Sequence, residues 1–396
     1  MRLQSLWRSG DEPPVTTMEL FFDLVYVFAV TQLSATLLHH LTVRGGVETL
    51  VLFGAVWWVW NYTAWATNWV DPDRVPVRVL LAVLMLLSLI MSAAIPEAFG
   101  DHGLQFAVAV AAMQVLRPLF MVIVLRGHQL SRNYLHLGIW STAASVLWIV
   151  GATADGNARL LWWVAALAVD VLGPAANYAV PGLGRTPMST WTLSPAHLAE
   201  RCRLIVIIAL GESVLSIGKT YAELSSGARA SASLIVAFVE TFALWWLYFT
   251  RRSDGAVHRV IRSGDPAKLG RGAYAYAHAL LVAGIIVTAV AAEQTMSHPD
   301  HHAEWPDVLV IVGGPAVFAV GMLVFLISTG GFDRTERLAG ATGFAALLAL
   351  AVAGGMAGWP LLLLDGAVAA VLLALAVVTS LPTAQAPNTA PELETR

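Results

Sequence analysis

The chain has 396 residues, 57% of them hydrophobic and 12% charged, with a formal net charge of −3 and one cysteine, Cys202. Soluble domains carry about 25% charged residues, so a soluble globular protein is excluded, and a lone cysteine excludes intrachain disulfides and Cys-based zinc sites. The apolar residues fall in blocks of the length that a helix needs to cross ~30 Å of hydrocarbon, which predicts an all-α, polytopic membrane-embedded bundle.

A polar segment, 1–17, precedes the first block, "MELFFDLVYVFAVTQLSATLLHHL" at 18–41. That block starts too late and runs too long for a cleavable signal peptide and predicts span 1 over 18–40. Glu19 and Asp23 lie four residues apart on one helical face, which Tyr26 continues, and Gln32 lies deeper. Spans 2 to 6 follow at 46–66, 76–96, 103–125, 134–152 and 158–178. After a linker over 179–196 come spans 7 to 12, at 197–218, 231–250, 273–295, 307–329, 337–356 and 359–380. The boundary at Gly358-Trp359-Pro360 leaves ten or eleven spans open as alternatives. The Pro/Ala/Thr-rich tail, 381–396, predicts disorder.

Cytoplasmic loops concentrate Lys and Arg. Eighteen of the 23 such residues fall on the side that carries the N-terminus and four on the other (Arg44, Arg159, Lys219 and Arg229), with Arg117 inside span 4. Both ends are therefore expected in the cytoplasm. Tryptophans near span ends, among them Trp7, Trp69, Trp191 and Trp305, are expected to form interfacial belts.

The two halves echo each other. "MELFFDLVYVFAVTQLSATL" lies over "AERCRLIVIIALGESVLSIG", "AVWWVWNY" over "ALWWLYFT", "AAIPEAF" over "VAAEQTM" and "MVIVLRGHQLSR" over "MLVFLISTGGFDR", at offsets of 181, 188, 196 and 201. This order predicts two parallel six-helix repeats, 18–178 and 197–380, a plan that in transporters places the site between the repeats near mid-membrane.

An ionisable group at the centre of a membrane helix costs about 2.5–3.5 kcal/mol, so it faces protein or water. In span 7, "SPAHLAERCRLIVIIALGES" offers Ser194 as N-cap and Pro195 at the first helical position. His197, Arg201 and Glu212 then share one face, with Gly211 beside Glu212 leaving room for a backbone or a ligand. Glu240 in span 8 and Asp170 in span 6 lie near mid-membrane, with Asn177 one or two turns beyond Asp170. Arg117, before Pro118, is a neutralising partner for these acids or a clamp for an anionic solute. His278 is expected to be a satisfied hydrogen-bonder. In the turn "TNWVDPDRVPVR", Asn68, Asp71 and Asp73 with Arg74 and Arg78 suit helix capping or a gate latch. "HPDHHAEWPD" lacks the fixed ligand spacing of a zinc site, so no metal is expected. No P-loop, G-x-G-x-x-G, H-E-x-x-H or D-D-x-x-D motif occurs, which gives an ATP-driven pump and the familiar enzyme classes no foothold.

"ELFFDLVYVFAVTQLS", "NWVDPDRVPVR" and "HLAERCRLIVIIALGES" resemble the bacterial low-temperature-requirement A (LtrA) family over about residues 15–380. The resemblance implies a multi-spanning bacterial inner-membrane protein with no defined chemistry. Position by position it marks Glu19, Asp23, Asn68, Asp71, Asp73, His197, Glu200, Arg201 and Glu212.

The expected function is a proton- or ion-coupled secondary transporter of a small polar solute. In it Asp23 and Glu212, steadied by Arg201 or Arg117, line one polar cavity between the halves. The alternative is an intramembrane enzyme that uses the same carboxylates as general acid and base on a lipid or isoprenoid. The expected partners are the bilayer and a small solute, ion or lipid, without nucleic acid; no cofactor and no oligomeric state is indicated.

Overall fold

The computed structural model describes residues 3–8, 14–224, 227–249, 269–330 and 334–380. The expected disordered tail and the basic stretch from Arg251 to Lys268 lie outside them. The described chain is helical, in twelve long helices. The first six are α1 (Thr17–His39), α2 (Val43–Ala66), α3 (Val75–Ala93), α4 (Gly103–Val124), α5 (Gln129–Ala152) and α6 (Gly156–Ala175). The second six are α7 (Pro195–Glu223), α8 (Ala228–Phe249), α9 (Arg271–Ser297), α10 (Trp305–Ser328), α11 (Arg334–Ala357) and α12 (Leu361–Ser380). α9 opens in a π-helical turn over Arg271–Ala277, and α10 is interrupted at Val312.

Ten of these helices are long and apolar enough to cross a membrane on their own; the other two are α2 and α7. The reason is where they sit. α2 buries 17 of its 24 residues and carries the polar-edged aromatics Trp57, Trp58, Trp60, Tyr62 and Trp65 into the core. α7 turns Arg201 and Glu212 toward α1, while its Glu200, Lys219 and Glu223 are exposed. Helices that protein surrounds need not be uniformly apolar; helices that meet lipid must be.

α1 and α7 run side by side in the same direction, because Glu19 meets His197 near their starts and Thr31 meets Glu212 farther along. In the first half α1 packs on α2 and α3, α2 on α4 and α6, and α3, α4, α5 and α6 each on the next. In the second half α7 packs on α8 and α9, α8 on α10 and α12, and α9, α10, α11 and α12 each on the next. The halves join chiefly through α1 against α7 and α9.

α9 and α10 approach closely at glycines. A Cβ on Gly284 would lie 2.5 Å from the Phe318 backbone nitrogen, and one on Gly314 would lie 2.6 Å from that of Thr288. Small residues let membrane helices meet at backbone distance. Gly284→Val should therefore wedge α9 from α10 and destabilise the protein by about 1–3 kcal/mol. Thermal unfolding of the purified variant in detergent checks this, and an unchanged midpoint would show that the contact is loose.

Two of the tryptophans expected at the membrane interface look inward instead. Trp69 and Trp191 are buried and pack at a tilt on each other and edge-to-face on Tyr134, with ring centroids 5.4–5.7 Å apart, because the 176–194 linker folds back over the bundle. Trp305 is exposed, and Trp7 donates to the Val124 carbonyl at 3.1 Å.

Candidate functional site

The site begins with two helix starts. Thr16 caps α1: its hydroxyl accepts from the Glu19 N–H, and Glu19 Oε2 accepts from the Thr16 N–H at 2.9 Å, a capping box. Ser194 caps α7, with Pro195 in its first turn. Each helix then carries a polar pair spaced i, i+4: Glu19 and Asp23 on α1, His197 and Arg201 on α7. Since the helices are parallel and start on the same face, the pairs meet at matching depth.

Arg201 grips Asp23 with two parallel hydrogen bonds, Nε to Oδ2 at 2.9 Å and Nη2 to Oδ1 at 2.6 Å. Its Nη1 reaches Glu19 Oε1 at 3.1 Å and Thr67 Oγ1 at 3.0 Å. Trp60 adds an indole N–H to Asp23 Oδ1 at 2.7 Å. Arg8, from the segment before α1, donates to both Glu19 oxygens at 3.2 Å and to the Thr67 carbonyl at 2.7 Å. Asn68 holds both backbone groups of Ser194 and donates to His197 Nδ1 at 3.2 Å. That bond makes Nδ1 the acceptor, so Nε2 carries the hydrogen that Glu19 Oε1 receives at 2.8 Å. The 3.0 Å approach of Arg8 to Nε2 is then a contact of two donors and not a hydrogen bond. With a neutral imidazole, two carboxylates balance two guanidiniums.

Glu19, Asp23, His197 and Arg201 are all at most 1% exposed. A low-dielectric surrounding strengthens each bond in such a network and raises the cost of breaking one. Beside it lies a polar recess of about 280 Å³ bordered by Arg8, Asn68, His128 and Ser194. Among the described residues, this is the place where a buried network of both charge signs meets open polar space.

The expectation that Asp23 and Glu212 share one chamber is corrected. Glu212 lies eleven residues beyond Arg201 on α7, about 16 Å along a helix axis. Its neighbours are Thr31 of α1 and Glu293 of α9, which also accepts from Ser216 at 2.9 Å. Gly211 beside it faces open space: a Cβ on its backbone would meet nothing within 4 Å. Arg117 reaches neither acid: its Nη1 donates to the Val59 carbonyl and to Thr63 Oγ1, both at 3.1 Å. Arg201 is buried as deeply as Arg117.

The remaining expected residues are dispersed. Asp170 accepts from Gln114 at 2.7 Å on the far side of Tyr62, within electrostatic reach of Arg117. Asn177 has a left-handed backbone, φ 53°, and its carbonyl accepts from Thr186. Glu200 is exposed and away from the cluster. Asp71 pairs with Arg74 at 3.0 Å and Asp73 with Arg78 at 2.8 Å in an exposed turn. Glu240 is fully buried beside Asp365 of α12. His278 is partnered at both ring nitrogens, by the Ala273 carbonyl and the Tyr248 hydroxyl. Among the described residues no group of three His, Cys, Asp or Glu side chains is placed to hold a metal.

Four residues of the observed clusters escape a reading of the sequence: Arg8, Trp60, Thr67 and Asp365. Only Asp365 has a usable signal, a carboxylate inside "LLLLDGAV". The others are brought in by chain reversals that periodicity does not encode.

The family profile described as bacterial low temperature requirement A protein (LtrA) matches residues 14–377. The chain belongs to the LtrA family. The LtrA chain is also 37% identical over 316 residues to a protein of Rhizobium meliloti (strain 1021), described as "Uncharacterized protein RA0937", covering 79% of this chain and 77% of that one. No solved structure matches it. Its many apolar helices make this LtrA protein a multi-pass membrane protein. The match begins at residue 14 and so leaves out Arg8, which completes the Glu19 end of the cluster.

Proposed function

We propose that this LtrA protein is a proton- or ion-coupled secondary transporter of the bacterial inner membrane, built from two parallel six-helix repeats. One observation carries the reading: the buried network joins acids of α1, the first helix of one half, to bases of α7, the first helix of the other. The order of packing supports the duplication, since each contact among α1 to α6 has its counterpart among α7 to α12. The excess of Lys and Arg on the N-terminal side supports a cytoplasmic position for both ends. In this reading the network is a latch on the cytoplasmic side that holds the halves closed, and the polar recess beside it is the route by which water reaches the latch. Glu212 with Glu293, and Glu240 with Asp365, are the deeper carboxylates that load and release a proton or cation.

The apolar crevice of about 570 Å³ between the halves, walled by Phe53, Trp57, Trp58 and Tyr276, favours a second reading as a lipid or isoprenoid enzyme. It lacks what that chemistry needs, because among the described residues no carboxylate or histidine lines it. Transport is therefore the better reading.

The test is flux into liposomes that carry the purified protein and a trapped pH dye, under imposed Na⁺, K⁺ and proton gradients. Wild type should move protons or the cation. Glu212→Gln should lower that flux at least tenfold, and Asp23→Asn should alter it by weakening the latch. Normal flux in both variants, or none in the wild type under any gradient, would remove this mechanism.

A further inference from the structure

Beneath the 176–194 linker, apart from the charged network, α2, α5, α6 and the π-helical start of α9 enclose a small aromatic box. Its cavity measures about 20 Å³; one water-sized guest needs roughly 10–15 Å³. Four residues on its wall carry buried donors with no hydrogen-bond acceptor among the described residues: the indole N–H groups of Trp58, Trp65 and Trp191 and the hydroxyl of Tyr134. Each of the four side chains belongs to a residue no more than 9% exposed.

Two acceptors nearby are already engaged: the Ala275 carbonyl takes the Trp57 N–H at 2.9 Å, and the Tyr62 hydroxyl accepts from Tyr178 at 3.4 Å. Asn61 also lines the cavity, and its carboxamide can turn its N–H groups toward a guest. The positive charge is on the same side. Arg271 lines the cavity and uses one N–H on the Pro174 carbonyl at 2.6 Å. Behind the wall the fully buried Arg117 keeps Nε and Nη2 without hydrogen-bond partners among the described residues, and Tyr134 lies within its electrostatic reach. Among the described residues no carboxylate lines the cavity. Indole N–H can only donate, and a buried donor left unmatched costs about 1–3 kcal/mol. Three such indoles, a hydroxyl and a guanidinium around one small space fit a guest that only accepts and carries negative charge.

We infer that this box is a binding site for a small monovalent anion, of halide or formate size. The site is independent of the transport reading, since none of its residues belongs to the α1–α7 network. The volume excludes a larger anion such as phosphate, and the aromatic walls, which hide the charge from water, favour a weakly hydrated monoanion over a divalent one.

Thermal unfolding of the purified full-length protein in detergent tests this, with chloride, bromide, formate or phosphate replacing gluconate at constant ionic strength. The three monovalent anions should raise the melting temperature saturably, as a ligand of the folded state does, and phosphate should not. Trp65→Phe, which keeps an aromatic ring and removes the donor, and Arg271→Gln should each raise the half-saturating concentration about tenfold, equivalent to ~1.4 kcal/mol. Should Arg271→Gln fail to fold, Trp65→Phe and Tyr134→Phe carry the comparison. An equal response to all four salts, no response in the wild type, or wild-type midpoints in the variants would overturn the assignment.

Discussion

Arg201→Leu should destabilise the protein by about 3–5 kcal/mol, the cost of leaving a buried charge without its partner. The substitution removes four hydrogen bonds at once, two to Asp23 and one each to Glu19 and Thr67. It leaves Asp23 with the Trp60 N–H as its one remaining donor among the described residues. Glu19 suffers less, because Arg8, His197 and the Thr16 cap still hold it. The loss should therefore be concentrated on Asp23, and the double variant Arg201→Leu/Asp23→Leu should recover most of it. Arg201→Lys should fall between, since one ammonium cannot reproduce the planar two-pronged grip. Thermal unfolding of wild type, Arg201→Leu, Asp23→Leu and the double variant in detergent, with Arg201→Lys alongside, measures the coupling directly. A single variant as stable as wild type, or a double variant no better than the single, would show that the network does not bear on stability.

How far the sequence foretells this cluster depends on which property is asked of it. The i, i+4 spacing of Glu19 with Asp23 and of His197 with Arg201 puts each pair on one helical face, and both faces are turned to protein as that spacing requires. The helical wheel also sets Glu212 on the face of Arg201, but a wheel discards depth. Asp23 lies six residues into α1 and Arg201 six into α7, whereas Glu212 lies seventeen into α7. With parallel helices that begin on one face, matching depth selects Arg201 and rejects Glu212. The capping pair Thr16 and Glu19 is equally legible, as Thr-x-x-Glu ahead of an apolar run.

Arg8 and Asn68 cannot be found that way. Arg8 reaches the network because residues 3–8 return to the bundle and bridge Trp7 to Val70 at the end of α2. Asn68 acts by matching the backbone of Ser194, 126 residues away. Spacing within a helix says nothing about either. The inward turn of Trp69 and Trp191 has the same origin: the linker that covers them is polar enough in sequence to pass for an exposed loop.

Replacing the buried acids of α8 and α12 with apolar residues should have the opposite sign from the loss of Arg201. Glu240 and Asp365 are each 0% exposed, and none of their four carboxyl oxygens has a hydrogen-bond partner among the described residues. Asp365 acts electrostatically on Glu240, and Thr295 of α9, whose hydroxyl is also unpartnered, stands beside Asp365. Among the described residues no cation offsets them in the way Arg201 offsets Asp23, so each carboxyl brings the cost of burying a polar group without a bond, about 1–3 kcal/mol. The double variant Glu240→Met/Asp365→Leu adds a little volume, removes both costs, and should be more stable than wild type by about 1–3 kcal/mol after repacking. Two like charges this close to each other are tolerable only while they share a proton or a cation, which is why the transport reading retains them at a cost in stability. The same variant should then lose gradient-driven flux in liposomes although it unfolds at a higher temperature. A variant that is less stable than wild type would show that the acids already hold a partner that the fold needs, and one that transports normally would remove them from the coupling mechanism.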